Sequence, residues 1–126
     1  MRLTICLSAA LVLCAGSTAA GAKTAHAAFQ LNGTTWTFID HGKKLRESID
    51  ADGNYIVNAM NGKHIDHGTA VMKGKKVCFT SAMTKEGEMC WTTSPVSIGH
   101  SMVSVGDKGR KLKVTRVKYM KLSMPK

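Results

Sequence analysis

The segment GKHIDHG brings His64, Asp66 and His67 within four residues of one another, the densest group of potential metal ligands in the chain. On an extended strand His64 and Asp66 share one face while His67 points to the other. The three therefore converge on an ion only if the segment bulges, for instance at Gly68. Without a bulge, His64 and Asp66 lie exposed beside a turn, and His67 joins Ile65 and Val71 on a partly buried face. A softer site is conceivable from His100 with Met102 and from Met89 with Trp91, because imidazole and thioether suit Cu(I). Methionine fills core gaps equally well, and that use accounts for scattered residues without a metal. Asp50, Asp52 and Asn54 imitate the opening of a calcium loop, but Tyr55 and Asn61 stand where glycine and an acidic ligand are required, which leaves a turn.

Cysteine chemistry is excluded on different grounds. Cys6 and Cys14 fall in an N-terminal segment that reads as an export signal, leaving Cys78 and Cys90. In an oxidising compartment such a pair forms a disulfide, which stabilises a small domain by roughly 2 to 3 kcal/mol and consumes both thiols. No Ser, His and Asp grouping has recognisable local context, and no glycine-rich phosphate loop follows a strand. The expectation is a non-enzymatic protein without a cofactor.

Charge has more functional content. The chain carries 18 Lys and Arg against 8 Asp and Glu, a formal net charge of +10. Seven cations fall between Lys108 and Lys121. Of these, Lys108, Arg110, Lys111, Lys113 and Lys121 are the candidate surface for an anionic partner, lipid headgroups or an acidic polysaccharide. Nucleic acid is disfavoured by the compartment and by the few aromatics left for base stacking. The competing reading is a solubilising surface.

The elements that must position these residues follow from punctuation and periodicity. Arg2, the apolar run Leu3 to Gly16, and the A-x-A site at Ala25, His26 and Ala27 read as a signal peptide over residues 1–27. The apolar run falls short of the roughly 20 residues a spanning helix needs, so no transmembrane segment is expected after cleavage. The predicted location is periplasmic or secreted. Residues 28–126 then form one domain with a net charge of +8, since only Arg2 and Lys23 leave with the signal. Turn signals recur about every ten residues, from His41 and Gly42 to Asp107 and Gly109, and divide it into eight strands. These lie near 34–40, 43–50, 54–60, 63–72, 76–82, 87–93, 100–105 and 110–121. Alternation of Trp36 with Phe38, Val77 with Phe79 and Met89 with Trp91 gives each strand one apolar face.

The fold class is therefore all-β, an eight-stranded antiparallel up-and-down meander closing into a small barrel, since closure removes exposed edges. With a hairpin tip near Lys85, Cys78 faces Cys90 across two strands, outside the barrel. The bulky apolar face favours a filled core, leaving open a cavity for one small apolar molecule. Glu47 interrupts that face between Leu45 and Ile49; a polar group there either pairs or marks the barrel mouth.

Gly33, Thr34, Thr35 and Trp36 on the first strand, with Arg116 on the last, resemble the lipocalin-type signature, although the glycine precedes the tryptophan by one residue more than in that family. The resemblance implies a barrel in which Trp36 packs with Arg116 at the closed end. The run from KLRESIDADGNYIVN through GKHIDHGTAVMKGKKVCFTSAMTKEGEMCWT resembles small exported proteins of unknown function from Gram-negative bacteria. That likeness implies export and brings no activity with it. The leading functional expectation is binding of an anionic envelope component, with an inhibitor of a hydrolase or a copper-binding protein as alternatives.

Overall fold

A computed structural model describes residues 29–125; the predicted signal peptide lies outside the described residues. Eight strands follow one another: β1 (Thr34–Asp40), β2 (Lys43–Ile49), β3 (Asn54–Ala59), β4 (His64–Lys73), β5 (Lys76–Ser81), β6 (Glu88–Thr92), β7 (Ser101–Val105) and β8 (Lys111–Val117). They form a single antiparallel sheet in the order β6-β5-β4-β3-β2-β1-β8-β7. No helix among the described residues is long and apolar enough to cross a membrane.

The sheet curls until its two edge strands meet, giving a nearly closed barrel. The seam between β6 and β7 is held by few contacts, each specific. Trp91 bridges Gly106, and its ring lies so close that a Cβ at position 106 would meet it at 3.1 Å. Asp107 seals the same point twice, donating its backbone N–H to the Cys90 carbonyl at 3.0 Å and accepting the Cys90 N–H at 2.9 Å. That bond, and then Lys76, hold the Asp107 carboxyl below the ordinary carboxylate value against a smaller opposing effect of desolvation. Cys78 and Cys90 are bonded and sit opposite each other in the β5–β6 register. The edge strand β6 is thereby stapled to the sheet on its outer face.

One end of the barrel is filled. Leu31, Trp36, Ile49, Tyr55, Val57 and Val77 are buried there, with Phe79 and Trp91 packed against them. Trp36 pairs with Arg116 across β1 and β8. The indole Nε1 donates to Thr34 Oγ1 at 2.8 Å, and Arg116 Nη1 donates to the Val96 carbonyl at 2.9 Å, while the buried Arg116 Nε has no acceptor among the described residues.

Seven strands lie within one residue of their predicted bounds; the last does not. β8 stops at Val117, and residues 118–125 cross the outer face of β1, β2 and β3. The Met120 N–H donates to Thr35 Oγ1, which donates in turn to the Met120 carbonyl, the Leu122 N–H donates to Ser48 Oγ, and Asn58 Nδ2 donates to the Ser123 carbonyl. These partners explain why Thr35, Ser48 and Asn58, polar residues on the outside of the barrel, are buried. A strand continuing to Lys121 would have left them open to water.

Removing the Trp36 side chain should empty the closed end, and Trp36→Ala is expected to cost about 3–5 kcal/mol in urea unfolding. A loss below about 1 kcal/mol would show that this end is not the core.

Candidate functional site

Inward-facing positions repeat every second residue, and together they enclose a cavity of about 290 Å³. It has room for about ten water-sized groups. Expectation and structure part here, because the bulky face does not fill the barrel. Trp36, Phe38, Phe79, Trp91, Met89 and Met102 form its apolar walls, and the turns after β1, β5 and β7 bring Asp40, Glu86 and Arg110 to its mouth.

A polar cluster stands on one wall. Tyr55 Oη donates to Asp66 Oδ2 at 2.8 Å, and Ser81 Oγ donates to Asp66 Oδ1 at 2.6 Å. Each Asp66 oxygen keeps a lone pair for another donor. Tyr55 is held in its protonated form well above its ordinary value, first by burial and then by this bond. It also stands edge-on to Phe79, with ring centroids 5.1 Å apart. Glu47, on the neighbouring strand β2, borders the same space. Burial, and next the charge of Asp66, push its carboxyl up from 4.5 to about 8. The two carboxyls are thus differently placed: Asp66 accepts two hydrogen bonds, whereas Glu47 accepts none and keeps its proton to an unusually high pH.

A bulge places Asp66 here. Val57 pairs with Asp66 but the next residue, Asn58, pairs with His64, so β4 has one extra residue at Ile65. The bulge expected from the metal-site reading is present, but one step earlier than Gly68 and with the opposite effect. It turns His64 and His67 to the same outer face and sends Asp66 inward, so the three do not converge. His64 Nδ1 lies 2.9 Å from Asn58 Oδ1 and its Nε2 lies 3.0 Å from His67 Nδ1. His67 therefore does not share an inner face with Ile65, and Val71 is 53% exposed outside. Gly68 has another duty: a Cβ there would fall 2.0 Å from the Thr80 carbonyl oxygen on β5.

The remaining candidates are distributed as follows. His100 is exposed and outside the strands, while Met89, Trp91 and Met102 line the cavity, so His100 does not join them there. The Met102 sulfur accepts from the Ser94 backbone N–H at 3.3 Å. Cys78, Glu88 and Cys90 lie together, but both sulfurs are committed to each other. Asp50 accepts the N–H groups of Asp52 and Asn54, each at 2.9 Å, and caps a turn as expected. Lys111 and Lys113 project from the outer face of β8, and Lys108 is exposed in the preceding turn. Arg110 instead turns to the cavity mouth and pairs with Asp40. Lys121 is exposed on the crossing C-terminal segment, off the β8 face.

Of the cavity's polar groups, only Glu47 was legible as an inward interruption of an apolar face. Asp66 was read with the histidines because strict alternation ignores the bulge, and Tyr55 was read for its ring alone. Comparison of the chain with protein-family models, curated proteins and solved structures returned no match.

The raised Glu47 value has a definite sign in stability. Between about pH 4.5 and about 8 the folded state keeps a proton that the unfolded state has lost, so stability should fall as pH rises through this window and level off above it. Glu47→Gln should match the wild type near pH 4 and exceed it by about 1–3 kcal/mol at pH 8.5, a figure lowered to allow for water reaching the open cavity. Parallel stability curves for the two proteins would show that Glu47 titrates as an ordinary surface carboxyl.

Proposed function

We propose that the protein is a non-enzymatic binding protein whose barrel interior takes one small ligand. The observation that carries this reading is the cavity itself, apolar over most of its wall and interrupted by the convergent Glu47, Asp66, Tyr55 and Ser81. Concave apolar space with a few placed polar groups is the common form of a small-molecule site. A barrel serving only as a packed scaffold would gain stability by closing that space, since each unfilled methylene forfeits contacts. A half-buried carboxyl beside another carboxyl is also a cost to the fold, which a bound cationic partner would offset.

A second reading concerns the outside and keeps the anionic envelope component as partner. On the outer face, Lys44 pairs with Ile39 across β2 and β1, and Lys113 pairs with Val103 across β8 and β7. Ile39 and Val103 are 64% and 61% exposed. Cations alternating with exposed apolar side chains favour lipid headgroups over an acidic polysaccharide, because the apolar groups gain only at a membrane interface. Lys44, Lys111 and Lys113 form no ion pair among the described residues. Under this reading the protein would hold its ligand while resting on an anionic surface.

The methionines supply an internal test of the cavity reading. With ¹³C-methyl-labelled methionine, a small aromatic probe such as indole should shift the Met89 and Met102 methyl signals and leave the exposed Met60, Met83 and Met124 unmoved. Shifts confined to the exposed methionines, or none at millimolar indole, would rule out an interior site.

For the outer surface, replacing Lys44, Lys111 and Lys113 together with Gln should lower retention on phosphatidylglycerol vesicles at least several-fold at low salt and leave stability nearly unchanged. The wild-type retention should fade as salt shortens the Debye length from about 10 Å at 0.1 M to about 3 Å at 1 M. If the wild type is not retained at low salt, the cations only solubilise the surface. Retention on an acidic polysaccharide but not on vesicles would reassign the partner.

A further inference from the structure

The cavity has the opposite charge from the molecule that surrounds it. The chain has 8 acidic residues against 18 basic ones, yet Asp40, Glu47, Asp66 and Glu86 all line the cavity and Arg110 is its only basic lining residue. Arg110 is itself engaged by Asp40. The interior potential left after this pairing is negative, and in a space walled by side chains it is weakly screened. Chance placement of surface carboxylates does not account for Glu47. It is enclosed by the barrel, borders the cavity, and accepts no hydrogen bond from the protein among the described residues. Asp66 beside it retains unused lone pairs on both oxygens after accepting from Tyr55 and Ser81. What this corner lacks is a donor, preferably a charged one.

The walls have matching chemistry. Aromatic faces attract a cation that sits within about 6 Å of the ring, more strongly when both are out of water. Trp36, Phe79 and Trp91 line the same cavity as the two carboxyls. An ammonium group would meet acceptors on one side and ring faces on the other, while its hydrocarbon body occupied the rest of the roughly ten water-sized units. An anionic ligand would face four carboxyls and a single, already paired, guanidinium.

We propose that the barrel interior is a site for a small organic cation, a primary amine on an aromatic or apolar body, with Glu47 and Asp66 as the acceptors of its ammonium group. This rests on the reading of the cavity as a ligand site and names the ligand class. Binding converts the protonated Glu47 to its carboxylate and releases that proton to solvent, so affinity should rise with pH until Glu47 is ionised without ligand. The titratable and charged groups that line the cavity with Glu47 are Asp66 from β4, Tyr55 from β3, Asp40 from β1, Glu86 from the β5–β6 hairpin and Arg110 from the β7–β8 turn. Among the described residues no histidine lines the cavity, but His41 contacts Asp40 at its mouth, so it is the loss of the pH dependence in Glu47→Gln that assigns a change between pH 6 and pH 8 to Glu47.

The test compares three probes with the same body and different heads: 2-phenylethylamine, 2-phenylethanol and phenylacetate. Each is titrated against the full mature chain while the Met89 and Met102 methyl signals are followed. The amine should bind at least tenfold more tightly than the alcohol at pH 8, phenylacetate should bind most weakly, and the amine's affinity should fall up to about tenfold per pH unit between pH 8 and pH 6. In Glu47→Gln the preference for amine over alcohol should shrink several-fold and its pH dependence should flatten. If the alcohol or phenylacetate binds as tightly as the amine, the cationic class is wrong while the interior site stands. If none of the three moves those methyl signals, the interior site fails as well. Should the Gln variant not fold, a flat pH dependence in the wild type overturns the proposal by itself.

Discussion

Closure of the sheet along β6 and β7 is the constraint on which the rest of this molecule depends. The β-bridge of Trp91 to Gly106, the Trp91 ring against Gly106, the paired bonds of Asp107 to Cys90 and the bonds of Ser104 and Val105 to Thr92 join the two edges. If the seam opened, two unpaired strands would be exposed to other chains. Water would also enter along the whole barrel wall. The desolvation that keeps Glu47 protonated would vanish, and the carboxyl would return towards its ordinary value. The Cys78–Cys90 bond belongs to this arrangement, because it fixes β6, the strand that must present Trp91 to Gly106 and its backbone to Asp107.

The distribution of charge follows from the same closure. A closed barrel divides every strand into two populations by alternation, and here the populations have opposite characters. Lysines occupy outer positions and turns, where water solvates them at little cost. The inner positions are apolar except for a few groups on adjacent strands, which neutralise one another only in part. Asp66 accepts the Tyr55 and Ser81 hydroxyls, and this leaves Glu47 without a donor and beside a second carboxyl. Such an arrangement costs stability, and the fold tolerates it because closure and the disulfide supply a surplus elsewhere.

The crossing C-terminal segment shows how a local pattern can mislead. Basic and apolar residues alternate from Arg110 into the closing residues, and alternation alone extends the strand to Lys121. β8 nevertheless ends at Val117, because Thr35, Ser48 and Asn58 on three other strands offer a line of side-chain partners to the passing backbone. Those partners are 65 or more residues distant in sequence from the groups they meet, so nothing near Lys118 announces the change of course.

Turns and alternation act over a few residues, and for that reason the sequence by itself determined the number of strands, the bounds of seven of them, the meander order and the Cys78–Cys90 pairing. The inward position of Glu47 was equally legible. What tertiary structure alone decided was which groups met Glu47. The extra residue at Ile65 is a property of how β4 pairs with β3, and it reverses the facing of His64 relative to Asp66 without any local mark. Likewise, whether eight bulky faces fill a barrel or leave about 290 Å³ open depends on the radius at which β6 reaches β7. That radius is set by all eight strands at once, through tilt and register, and no stretch of sequence contains it.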